Sequence, residues 1–147
     1  MRKGFTTIEL LVVIGIMVIT VAAVLPMYSN LQVTAQLNET NSQIAQTLRI
    51  AKEESMSRLN NANHGVKFFS GSFVLYQGTS YALRDNSYDR TVTLEPVLSI
   101  TTTLVGDEIN FTRASGLPDT TGTTTLTHMV NGTRHVFINS YGTVTEN

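Results

Sequence analysis

The chain has no cysteine among its 147 residues, so no disulfide can staple the fold and no thiol can act as nucleophile or metal ligand. The lack of cysteine does not decide the compartment; it only removes the usual sign of an oxidising one. No Gly-rich phosphate loop is present, and Ser115-Gly116 and Ser140 lack the G-x-S-x-G setting of a nucleophilic serine. The acidic residues Asp85, Asp89, Asp107, Glu108 and Asp119 do not follow the spacing of a calcium-binding EF-hand loop and read as turn and solubility residues. No internal repeat is found. These absences argue against an enzyme: no catalytic residues, no cofactor and no metal are expected. Positive charge is also unevenly missing, with no Lys or Arg between Lys3 and Arg49. The formal net charge is −1, and loss of Arg2 and Lys3 would take Lys+Arg from 10 to 8 against 11 Asp+Glu, giving −3. An acidic chain of this kind is a poor general nucleic-acid binder.

What is present is concentrated at the N-terminus. Arg2 and Lys3 precede Gly4, and from Phe5 to Leu25 nearly every residue is apolar. As a helix that run is about 31 Å long at ~1.5 Å per residue, which matches a hydrocarbon core of roughly 30 Å. The basic start and the long uncharged stretch that follows place the N-terminus in the cytoplasm and the rest of the chain outside. One carboxylate, Glu9, lies inside the run, and an intramembrane ionisable group is a functional-site candidate by default. A secretory signal peptide has a shorter apolar region, roughly 7–15 residues, ending at a small-residue cleavage site. Ala22-Ala23 offers such a pair, but the apolar character continues to Leu25 and Pro26, and Glu9 would be out of place. A plain membrane anchor explains the length but neither Glu9 nor the Gly4-Phe5 junction.

The string Lys3-Gly4-Phe5-Thr6-Thr7-Ile8-Glu9 with its apolar continuation resembles the class III signal of type IV pilins and type II secretion pseudopilins. The resemblance is close over residues 1–26 and architectural beyond them; Thr7 stands where the usual string has a Leu. It implies that a prepilin peptidase cuts after Gly4 and N-methylates Phe5. It also implies that Glu9 pairs with the N-terminal amine of a neighbouring subunit and that Pro26 kinks the helix. An unpaired carboxylate is costly in low dielectric and a paired one much less so, so the pairing would check register during assembly. The expected partners are the peptidase, an inner-membrane assembly platform, and copies of the chain or other pilins in a filament. The expected location is the cytoplasmic membrane for the precursor, then a periplasmic or cell-surface filament. Binding of nucleic acid or a surface by a minor pilin, and an anchored domain that never polymerises, are the alternatives.

Residues 27–59 continue as a helix with one apolar stripe, Leu37, Ile44, Leu48, Ala51 and Leu59, at spacings of three, four and seven. Asn60 to Gly65 supply the stop, since Asn and Gly tolerate left-handed backbone. The period then changes to two. Val66–Phe69 and Phe73–Tyr76 read as a hairpin across Ser70-Gly71-Ser72, Tyr81–Leu83 as a short strand, and Asp85–Asp89 as a loop. Thr91–Leu94, Val97–Val105 and Glu108–Thr112 read as further strands, followed by a loop over Leu117–Gly122. Thr124–Val130 and Thr133–Asn139 flank Asn131-Gly132, a strong two-residue hairpin signal. Tyr141–Val144 ends the chain as a turn and a last short strand. The organisation expected is a leader over residues 1–4, a membrane-spanning or filament-core helix over 5–26, an amphipathic helix over 27–60 and a β-rich domain over 61–147. That is an α+β fold, with a long N-terminal helix on a mostly antiparallel sheet, which is the pilin-like shape.

The end of the helix, Ala51 to Ser55, and the closing run from Asn131 to Gly142 are similar to the H-type (GspH/FimT-like) pseudopilins and minor pilins. The Cys-bounded C-terminal loop of many major pilins cannot form, and the acidic calcium loop of the major secretion pseudopilin is not evident. His128 and His135 would face each other across a two-residue hairpin, but structural zinc wants four ligands and no third is apparent, so they read as an exposed polar pair. His64 reads as a helix-end residue. Asn38, Asn110 and Asn131 head N-x-[ST] triplets, a pattern that also arises by chance. Lys67, Arg84, Arg90, Arg113 and Arg134 are scattered in sequence.

Overall fold

A computed structural model describes residues 4–147, with backbone alone described for residues 23–29. Helix α1 runs from Thr7 to Met56. Eight strands follow: β1 (His64–Phe69), β2 (Ser72–Gln77), β3 (Asp85–Thr93), β4 (Leu98–Thr102), β5 (Glu108–Phe111), β6 (Gly122–His128), β7 (Thr133–Ile138) and β8 (Val144–Glu146). They form two four-stranded sheets rather than one, in the orders β3-β2-β1-β5 and β4-β6-β7-β8, and every pairing is antiparallel.

The C-terminal half of α1 is the spine on which both sheets pack. Leu37, Ile44, Ala45, Leu48 and Ala51 are buried, and they meet Val66, Phe68, Phe73 and Ile109 from the first sheet and Leu126, Val136 and Ile138 from the second. Buried Asn41 and Ser55 complete the stripe, so it steps 37, 41, 44, 48, 51, 55. These steps of four and three keep one face toward the sheets. Leu59 falls outside it and is 45% exposed, because the helix has already ended. The end is abrupt: Ser57 N–H donates to the Glu53 carbonyl at 2.8 Å, and Arg58, Asn60 and Asn61 all take positive φ. Left-handed residues cannot continue a right-handed helix.

The last strand is tied back to α1 by polar contacts. Arg49 donates to Glu146 Oε1 at 2.9 Å and to the Val144 carbonyl at 3.3 Å. Lys52 Nζ donates to the carbonyls of Tyr141 and Gly142 at 2.9 and 3.0 Å. At Gly65 the sheet leaves no room for a side chain: a Cβ would lie 2.6 Å from both the Ile109 carbonyl and the Tyr76 ring.

Several local expectations change. Asp85–Asp89 belongs to β3, not to a loop; its pairing with β2 is irregular, since Leu75 opposes Arg90 while Gln77 opposes Asp85. The additional β3 residues bulge outward, which is why their polar side chains read as a loop. Tyr81–Leu83 is a single 3-10 turn capped by Ser80, whose hydroxyl accepts from Leu83 N–H at 3.3 Å. The strand expected over 97–105 is shorter, ending at Thr102.

The β6–β7 register also differs. Thr127 opposes Thr133 and Thr125 opposes His135, so the loop spans Met129 to Gly132 rather than Asn131-Gly132 alone. His128 therefore pairs with Leu98 on the other side and is buried, while Thr125 and His135 share a 3.1 Å hydrogen bond. The two histidines are not cross-strand partners.

Candidate functional site

The expected site residues lie at the start of α1. Thr6 is in extended conformation and caps the helix: Glu9 N–H donates to Thr6 Oγ1 at 3.3 Å. The Glu9 carboxylate reaches back, and its Oε2 accepts from both the Thr6 N–H and the Thr6 hydroxyl at 2.9 Å each. This is a reciprocal capping box, which satisfies donors that the first turn otherwise leaves free. The signal for it, Thr-x-x-Glu over residues 6–9, was present in the sequence, and Thr6 is the site residue that reading for a cleavage signal passes over. Within a single chain Glu9 is thus not a bare carboxylate.

Every described side chain from Gly4 to Ala22 is exposed. Ile8 and Leu11 are each 66% exposed and Ile19 71%. Thr20 hides its hydroxyl by donating to the Ile16 carbonyl at 2.8 Å, the usual way a helical hydroxyl avoids an open donor. Among the described residues, nothing beyond the adjoining helix backbone lies within 4 Å of where a Cβ of Gly15 would stand. Among the described residues no helix is long and apolar enough to cross a membrane. Side chains are described up to Ala22 and again from Asn30. Pro26 falls where only backbone is described, and α1 is continuous through it. Arg2 and Lys3 lie outside the described residues.

The other candidates disperse. Among the described residues no group of three His, Asp or Glu could hold a metal ion. Asp119 accepts from Asn110 N–H at 2.9 Å, and Thr102 donates to Asp107 at 2.8 Å, both turn-building contacts. Asn110 is buried and donates to the Gly78 carbonyl at 2.8 Å, so it presents no glycan acceptor. Arg134 is engaged with Asn38 at 2.8 Å, Arg113 with Asn61 at 2.7 Å and Arg84 with Asp89 at 2.8 Å. Arg90 is bonded to Glu54. Arg84 and Arg90 thus face carboxylates, whereas Arg113 and Arg134 donate to neutral oxygens. His64 is not a helix-end residue: it opens β1 and is buried beside Glu54.

A 50-residue helix whose side chains are exposed and mostly apolar up to Ala22 and whose C-terminal half packs on antiparallel sheets defines a pilin-like α+β fold. Solved structures bear this out. The minor pseudopilin EpsH from the type 2 secretion system of Vibrio cholerae superimposes with a TM-score of 0.57 at 16% identity, covering 76% of this chain and 96% of that one. The type IV minor pilin FimU of Pseudomonas aeruginosa superimposes with a TM-score of 0.62 at 15% identity, covering 78% and 90%. No protein-family model and no curated protein matches the chain.

Proposed function

We propose that the chain is a minor subunit of a type IV pilus or secretion pseudopilus. The observation that carries this reading is the exposed apolar stretch of α1 up to Ala22, on the same helix as the packed C-terminal half that holds the β domain. Apolar side chains from Ile8 to Val21 facing water would forgo on the order of 20 kcal/mol of burial, so this segment belongs in lipid or against other helices. A membrane houses it before assembly and a helical bundle afterwards. Processing would remove Met1 to Gly4 and expose the Phe5 amine, methylated in the mature protein. That amine would be a positive charge one helical turn from the chain's own Glu9 and available to pair with the Glu9 carboxylate of a neighbour. The peptidase, an assembly platform and other pilin-type chains are the partners; the likeness to a minor pilin and a minor pseudopilin supports the minor role. The chemistry is structural, with no catalytic step.

The test is the intact mass and N-terminal sequence of the protein from sheared cell-surface or periplasmic polymer. A chain beginning at N-methyl-Phe5 in that material is the expected result. An uncut Met1 terminus, or a cut near Ala23, would sink the reading and leave an anchored or secreted β-rich domain.

A further inference from the structure

Asn131-Gly132 is the sole Asn-Gly pair in the sequence. The fold leaves it in the loop between β6 and β7, with both residues exposed. The Gly132 carbonyl accepts from His128 N–H at 3.1 Å. The return bond, from Gly132 N–H to the His128 carbonyl, is not made, and among the described residues the Gly132 N–H donates to nothing. The other bonds of the loop run from Met129 N–H to the Val97 carbonyl at 2.8 Å and from Val130 N–H to His128 Nδ1 at 3.2 Å, and neither engages the Asn131 side chain. With no Cβ on Gly132, its nitrogen is open to close approach by the preceding side chain. The Asn-Ser pairs of the chain, the next least hindered, are each restrained. Asn41 is 4% exposed and lies inside α1. The Ser87 N–H that follows Asn86 donates to Asp85 Oδ1 at 3.0 Å. Asn139 Oδ1 accepts from the Tyr141 and Thr143 N–H groups at 3.0 and 2.9 Å.

We propose that Asn131 is a site of non-enzymatic covalent modification in the folded protein, losing its amide by ring closure onto Gly132 and becoming aspartate and isoaspartate. The Gly132 nitrogen, on giving up its proton, attacks Asn131 Cγ and forms a C–N bond. The Cγ–Nδ2 bond breaks, and ammonia leaves carrying that proton. Water then adds to either carbonyl of the cyclic imide and one ring C–N bond opens. Opening at the side-chain carbonyl gives aspartate; opening at the main-chain carbonyl gives isoaspartate. Nothing is oxidised or reduced, and water is the one co-reactant. The change falls at a defined place in the fold. Met129, Val130, Asn131, Gly132 and Thr133 carry no charge, and both products put a carboxylate among them. Isoaspartate also adds a methylene to the main chain, beside a glycine that has φ +95° and whose Cβ would stand 2.7 Å from Leu37 Cδ1. The isoaspartyl form therefore pulls Gly132 away from Leu37 or strains the start of β7. The inference concerns the β domain alone and stands whether or not the chain enters a filament.

The full chain in detergent would be incubated at mildly alkaline pH in heavy-oxygen water, with a parallel sample in guanidinium chloride. Both would be digested at intervals and their peptides read by mass spectrometry, with isoaspartate scored by an isoaspartyl methyltransferase used as a reagent. In the folded chain Asn131 should convert at least about tenfold faster than Asn41, Asn86 or Asn139, a ratio equal to ~1.4 kcal/mol of barrier. Its products should include isoaspartate with one heavy oxygen. Its rate should also lie within about tenfold of the rate in denaturant, where no loop geometry remains. A folded rate further below the unfolded one would overturn the proposal, because the loop would then shield the pair. Conversion no faster than at the Asn-Ser pairs would overturn it as well, and so would aspartate without isoaspartate, the mark of direct hydrolysis.

Discussion

His64 shows how a single side chain couples the helix to the sheets. It is 3% exposed, its backbone N–H donates to Ser55 Oγ at 2.9 Å, and its Nε2 lies 4.0 Å from Glu54 Oε2. Burial holds its pKa below the usual imidazole value; the Glu54 charge and a hydrogen bond to Gln77 oppose this, and the Arg90 charge adds to it. The ring is therefore neutral at neutral pH, and its approach to Glu54 is not an ion pair there. A base whose folded pKa is depressed contributes stability that is complete above its unfolded pKa, near 6.5. As pH falls below that value the unfolded chain takes up a proton that the folded chain refuses, and stability is lost. Between pH 7.5 and pH 5 the melting temperature of the full chain in detergent should drop by a few degrees on this account. The same acid shift should be smaller in His64→Asn, whatever the variant's own stability. Equal shifts in parent and variant would show that His64 does not sense pH.

At the scale of elements, the packed half of α1 is where the stability of the β domain resides. Leu48 is fully buried between the sheets, and Leu48→Ala should cost roughly 2–5 kcal/mol in a denaturant titration. Leu59→Ala, past the helix end and half exposed, should cost less than about 1 kcal/mol. Comparable losses would mean that the stripe runs past Ser55 after all. The helix, its apolar stripe and most strands were legible in the sequence, because periods of 3.6 and 2 register which face is buried. Asn41 and Ser55 were missed in that stripe because polarity hides burial; Ser55 is buried because it bonds the His64 backbone. The β6–β7 register was missed for a different reason. Asn131-Gly132 signals a tight turn, but the core face of β7 is set by Val136 and Ile138 and that of β6 by Leu126. Packing those three inward left four residues in the loop, with Gly132 against Leu37. The division into two sheets was not legible, since strand period says nothing about which edges meet.

For the molecule as a whole, the question is what Glu9 does once subunits meet. In the lone chain its carboxylate closes the capping box with Thr6, and a Gln side chain can do the same, whereas only a carboxylate can pair with a partner's amine. Two substitutions therefore separate the roles. Glu9→Gln should keep the first turn of α1 and lose charge pairing; Glu9→Ala should lose both, at roughly 1 kcal/mol of local helix stability. Neither should move the melting temperature of the β domain, because the described side chains of α1 up to Ala22 are all exposed and none belongs to the buried core. If assembly depends on the charge, both variants should reach the membrane in normal amount and both should fall out of sheared polymer by an order of magnitude or more. A favourable interaction of ~1.4 kcal/mol at each joint already gives that factor. If assembly depends only on a well-formed helix start, Glu9→Gln should enter polymer like the parent while Glu9→Ala does not. If both variants behave as the parent does, the chain is an anchored domain that does not polymerise through Glu9, and the exposed apolar helix serves only to hold the β domain at the membrane.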